Sequence, residues 1–147
     1  MPTLLIDAVR DYLIAQGVVR DPRVAGNLAP CWRSPRHGVP APGEGEGTEV
    51  GANAVVGLFP TTGIARDPYD ASVLRTDGLD VRIRSRTAPA AIELDDAIRA
   101  KLVDKRALTL VAGFQVVEIR LERPLGLIVA DDQGFDFVAG YLIERTA

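Results

Sequence analysis

Gly78-Leu79-Asp80-Val81-Arg82-Ile83-Arg84-Ser85-Arg86 alternates apolar and polar residues from Leu79 onward. In a strand, Leu79, Val81 and Ile83 point one way, and Asp80, Arg82, Arg84 and Arg86 point the other. Thr87-Ala88-Pro89 follows, a capping residue and then a proline suited to a first helical turn. Ala91, Leu94, Ile98 and Leu102 recur at spacings of three and four, so the helix has one apolar stripe. Glu93, Asp95 and Asp96 come early and Arg99, Lys101 and Lys105 late, the order that the helix dipole favours. Two further strands are predicted over residues 107–112 and 114–123. In the second, Val117, Ile119 and Leu121 alternate with Glu118, Arg120 and Glu122. One stripe per helix and one alternating face per strand make a sheet with a helix packed on one side.

Upstream, residues 3–16 read as an amphipathic helix. Thr3 is the candidate cap and Gly17 the closing residue. Leu5, Val9, Tyr12 and Leu13 form the core stripe, widened by Leu4 and Ala8. Residues 20–52 hold Pro22, Pro30, Pro35, Pro40 and Pro42, then Gly43-Glu44-Gly45-Glu46-Gly47. Such punctuation leaves little regular structure, and loops beyond ~15 residues in compact domains serve function or are disordered. A short strand over 53–59 ends at Pro60, and a second long loop spans 61–78. Downstream, Pro124-Leu125-Gly126 breaks the fourth strand, residues 127–130 are a short apolar piece, and Asp131-Asp132-Gln133-Gly134 is a turn. Residues 135–145 form the last strand, with Phe137, Ala139, Tyr141 and Ile143 on one face. The expected fold is therefore α+β, sandwich-like, in one domain over 1–147. Its sheet is mixed but mostly antiparallel, with four to five strands, two helices on one face and long loops. The strand-helix-strand step is the expected place for a parallel pair.

The 147 residues suit one domain, and 47% hydrophobic with 25% charged residues is ordinary for a soluble protein with a real core. A net charge of −3 lacks the basic footprint of a general nucleic-acid binder. The single cysteine, Cys31, excludes an internal disulfide and fits a reducing compartment. No apolar run approaches the ~20 residues of a membrane helix, and the N-terminus lacks a secretion signal. The expectation is a protein assembled in a cytoplasm, with no membrane partner.

No chemical centre emerges. Cys31 and His37 are the soft ligands and share one proline-rich stretch with no metal-ligand spacing. As a thiol–imidazole pair they lack a third, orienting group; the plainer reading is that Trp32 anchors the loop and Cys31 packs beside it. Asp95 and Asp96 are adjacent on a helix and point about 100° apart, so they do not form an acid/base pair. The glycine-rich run carries acids that repel phosphate and lacks the Gly-Lys-Ser/Thr ending of a phosphate loop. The expectation is no enzyme, no cofactor and no metal. Arg82, Arg84 and Arg86 form a basic ridge, open to three readings: cross-strand ion pairs, a charged subunit contact, or a surface met by passing DNA. A small enzyme sited in the long loop and a regulatory interaction module remain the readings from other classes.

Several stretches together resemble the minor capsid, or tail terminator, proteins of long-tailed, siphovirus-type bacteriophages. These are Asp80-Val81-Arg82-Ile83-Arg84-Ser85-Arg86 with its following helix, Val117-Glu118-Ile119-Arg120-Leu121-Glu122-Arg123-Pro124, and Asp131-Asp132-Gln133-Gly134-Phe135-Asp136-Phe137-Val138-Ala139-Gly140-Tyr141. The helical start running into Gly17-Val18 is also similar; residues 20–52 are not. The resemblance implies a small α/β domain without catalysis that closes into a homo-hexameric ring. Such a ring caps the head-proximal end of the tail tube, stops its polymerisation and offers the head–tail joining surface. It implies as partners further copies of the chain, the major tail tube protein and a head-completion or stopper protein, with DNA only passing through the lumen. It places the chain in the virion, at the tail or neck. A head-completion or stopper protein of the same junction is the alternative. Arg82, Arg84, Arg86, Arg120 and Trp32 are the candidate subunit-interface residues.

Overall fold

The computed structural model describes residues 5–24, 26–33, 54–61, 74–103, 116–131 and 134–146. The elements run α1 (Leu5–Ala15), β1 (Cys31–Arg33), β2 (Ala54–Thr61), β3 (Leu74–Ser85), α2 (Ala88–Leu102), β4 (Val116–Asp131) and β5 (Gly134–Thr146). The expected strand at 107–112, the Thr3 cap, Lys105, His37 and the glycine-rich run lie outside the described residues.

Helix α1 stops at Gly17, whose φ of 73° is left-handed and suits glycine. The Gly17 amide donates to the Ile14 carbonyl and the Val18 amide to that of Leu13. This pair of bonds is the Schellman closure, satisfying carbonyls the helix leaves unpaired. Helix α2 opens as its sequence predicts: Thr87 is extended, and its hydroxyl accepts from the Ala90 amide at 3.3 Å. The Tyr12 hydroxyl donates to the Lys101 carbonyl at 3.1 Å, joining α1 to the last turn of α2.

The sheet order is β1-β2-β3-β5-β4. All neighbours are antiparallel except β1 and β2. The fold is thus α+β, with a five-stranded, mixed, mostly antiparallel sheet. Register assigns its two faces. Leu58, Val81, Ala139 and, two pairs along, Leu79 with Tyr141 share one side. They pack in a single core with Ile6, Val9 and Leu13 of α1 and Ala91, Ile98 and Leu102 of α2. Both helices therefore cover the same face.

Five expectations need correction. The parallel pair is not at the strand-helix-strand step: β3 and β4 point the same way, but β5 lies between them. The stretch beginning at Arg20 is not all loop. Arg20 is buried, and its guanidinium donates to the carbonyls of Leu28 and Val24 at 2.7 Å each. That knot delivers Cys31–Arg33 to β2 as a strand. Pro60 does not end β2, because β1 pairs only as far as Leu58. Among the described residues nothing pairs with that side of β2 beyond this point, and on an edge proline's missing amide costs nothing. Pro124-Leu125-Gly126 does not break β4, which runs continuously to Asp131. Register shifts between Leu121 and Arg123, Arg123 and Gly126, and Leu127 and Val129 absorb the irregular residues as bulges. β3 also begins earlier than expected, at Leu74, because β5 supplies partners to its whole length.

Candidate functional site

The sheet face opposite the helices carries a row of charges. Arg82 donates to Asp136 at 3.0 Å and lies 5.8 Å from the centre of the Phe59 ring, a cation–π placement. Arg84 lies 3.8 Å from Asp131. Arg123 of β4 reaches Asp80 of β3 across the intervening strand. The crossing point is Gly140, which is in register with both Arg123 and Asp80. A Cβ at Gly140 would sit 2.6 Å from Arg123 Nε, so the crossing needs a residue without a side chain.

Of the five residues read from sequence as an interface, the structure brings Arg82 and Arg84 together on this face, each against an acid of the same chain. β5 supplies Asp136 and the far end of β4 supplies Asp131, while the Glu118–Glu122 stretch of β4 is not adjacent to β3. Arg86 is exposed, just past the end of β3. Arg120 is exposed on the outer strand, 4.0 Å from Glu118. Trp32 sits apart from all of these, half-buried in β1 at the opposite edge. Its Nε1 is buried with no hydrogen-bond partner among the described residues. Cys31 beside it is fully buried, and burial pushes its thiol up to about 12. It is therefore a protonated core residue at neutral pH, not a nucleophile.

Sequence reasoning missed two features. The first is the outer edge. Among the described strands β4 is terminal, and Leu127, Ile128 and Val129 within it are 55%, 45% and 48% exposed. Natural edges are blunted with charges, proline and bulges. β4 uses Glu118, Arg120, Glu122, Arg123 and Pro124 in that way up to Gly126, and then presents Leu127 to Ala130 with no charge. The residues were legible as an apolar piece, but their exposure was not, because period alone does not say what covers a strand.

The second is a buried polar group under α2. Asp95 is 2% exposed and accepts from Arg99 Nη2 at 2.5 Å. Tyr141 of β5 is buried, and its hydroxyl and Asp95 Oδ1 both lack a hydrogen-bond partner among the described residues. Burial, and then the Asp95 charge, raise the Tyr141 hydroxyl well above the ordinary tyrosine range. Ala91, Asp95, Ile98 and Leu102 fall at spacings of four, three and four, so the stripe itself contained the signal. This cluster joins α2 to β5 within the core.

One cavity of about 280 Å³ opens between the start of α1 and the sheet. Leu5, Ile6, Val9, Leu79 and Ile143 form its apolar lining, and Arg145, which donates to Asp77 at 2.6 Å, stands at its polar side. Among the described residues, no three of His, Cys, Asp and Glu converge as metal ligands, and no helix is long and apolar enough to cross a membrane. Compared with protein-family models and with curated protein sequences, the chain matches none.

Proposed function

We propose that this chain is a non-enzymatic structural protein of a phage virion: a tail terminator that closes into a homo-hexameric ring. The ring caps the head-proximal end of the tail tube, stops addition of tube subunits and presents the surface to which the head's completion protein joins. The observation that carries the reading is the unblunted apolar end of the edge strand, Leu127 to Ala130. Exposed apolar strand edges are sites of intermolecular contact. The α+β fold with its helices on one face agrees with the architecture that the resemblance implies, and the quoted strand motifs support the class.

The mechanism is steric. A ring is a head-to-tail assembly that closes, so each subunit needs two different, matching surfaces. The charged sheet face is internally compensated, since Arg82 and Arg84 stand against Asp136 and Asp131. It suits DNA that passes through without being held, because unscreened phosphate binding needs uncompensated cations.

Electron microscopy of particles from a phage lacking the gene tests the reading. Overlong tail tubes beside separate, filled heads are expected. Tails of normal length beside unjoined or leaking heads would replace the terminator with a stopper protein on the head side of the same junction.

A further inference from the structure

We propose that residues 124–131 of β4 form a strap that opens from β5 while the rest of the sheet stays folded. The inference stands on the fold and does not depend on the terminator reading. β4 divides at Arg123. Before it, Val116 and Ile119 are fully buried and Leu121 packs against the core. From residue 122 to residue 131, every side chain is exposed except that of Leu125, which is half-buried. The strand opposite differs: Phe137, Ala139 and Gly140 of β5 are buried. A segment that buries so little of itself has little to hold it closed.

Its pairing is broken as well. Register shifts fall between Arg123 and Gly126 and between Leu127 and Val129, so Pro124, Leu125 and Ile128 stand opposite no residue of β5. Each extra residue leaves a gap in the ladder, and Pro124 has no amide to donate. Two ion pairs bracket the segment: Arg123 with Asp80 at its start, and Asp131 with Arg84, 3.8 Å apart, at its end. The Arg123 and Asp131 side chains are half exposed or more, so water screens both pairs. Strand order makes the opening independent. Among the described strands β4 is last in the order, and β3 holds β5 from Phe135 to Thr146. Lifting the strap therefore breaks no other pair of strands. Its ends stay anchored, one by the buried half of β4 and the other by β5, so the opened segment is a short loop that closes again at little cost in chain entropy. Opening uncovers the edge of β5 from Phe135 to Val138, beside the rings of Phe135 and Phe137, whose centres lie 6.2 Å apart. The strap controls access to that edge.

Native-state hydrogen exchange of the full chain, read residue by residue by NMR, tests this. Successive amides of an antiparallel strand point to opposite neighbours, so over residues 135–138 those of β5 face β4 and β3 in turn. The expected result is an alternation in rate. Strap-facing amides exchange about a hundredfold faster than β3-facing ones, at rates that ignore urea below the unfolding transition. The amides of Val81 and Ile83 in the central strand, and of residues 141–143 beside the buried half of β4, stay slow. Gly126 and Val138 stand in register, and a Cβ at Gly126 meets nothing closer than the Pro124 carbonyl at 4.0 Å. Gly126→Cys with Val138→Cys, once oxidised, should pin the strap and slow the strap-facing amides towards the rate of their neighbours. Ala130→Pro breaks the pairing within the strap and should lower the melting temperature by only a few degrees. Strap-facing amides as slow as β3-facing ones in the unmodified chain would overturn the proposal. So would rates that the disulfide leaves unchanged, or an Ala130→Pro chain that loses its fold.

Discussion

Removing Arg99 should cost more stability than neutralising the carboxylate it serves. Asp95 is 2% exposed, whereas the Arg99 side chain is 38% exposed. Arg99→Ala leaves a buried carboxylate without the one cation that pairs with it among the described residues. Breaking a fully buried pair costs about 3–5 kcal/mol. Because the Arg99 head is partly in water, solvent already screens the pair, and about 1.5–3 kcal/mol is the scaled expectation. Asp95→Asn keeps the shape and removes the charge, while the freed guanidinium turns to solvent. That change should cost about 1 kcal/mol or less, since one charge-assisted bond is exchanged for a neutral amide. The double variant Arg99→Ala/Asp95→Asn should then be more stable than Arg99→Ala alone. Urea unfolding of the four proteins closes the cycle. Equal losses in the two single variants, or a double variant that sums them, would refute the view that desolvation of the carboxylate dominates.

Three further outcomes follow from the same structure. Thr87→Ala removes the cap of α2 and should lower stability by about 1 kcal/mol, near 3 °C in a thermal melt followed by circular dichroism. Burial raises the Cys31 thiol from 9.0 to about 12. A raised folded-state value means the proton is held more tightly in the native protein, so this contribution is complete below pH 9 and is lost between pH 9 and 12, at roughly 1.4 kcal/mol per pH unit. Tyr141 acts in the same sense above pH 10, and Cys31→Ala should flatten the alkaline decline in a urea titration without abolishing it. Gly140→Ala should displace the Arg123 side chain, which is flexible and more than half exposed. Its stability change should stay within about 1 kcal/mol, because the lost pair is a surface one and alanine suits a strand better; in an Arg123→Ala background the same change should be stabilising.

The helices and the central strands were legible because local signals agreed. Thr87, Pro89 and the spaced stripe specify α2, and alternation from Leu79 to Ile83 specifies both β3 and its buried face. Strand order was not legible: nothing local to β3 says that β5, the last strand in the chain, inserts before β4. β1 was hidden among prolines because its strand state comes from Arg20 and from pairing with β2, not from its own three residues. The basic ridge was legible as a row of arginines, but its partners depended on that same strand order. Asp95 was read only through the charge order of the helix, and its place in the apolar stripe, which puts it in the core, was left unused. The exposed end of β4 was visible as four apolar residues, but its exposure could be read only once β4 stood last in the order of the described strands.

The most direct test of the ring-forming terminator is image averaging of isolated tail-tube ends after adding the purified chain to growing tubes. Sixfold rings seated on one end of each tube, with growth arrested there, are the expected result. Tubes that keep lengthening, with the chain free in solution or scattered along their walls, would contradict it.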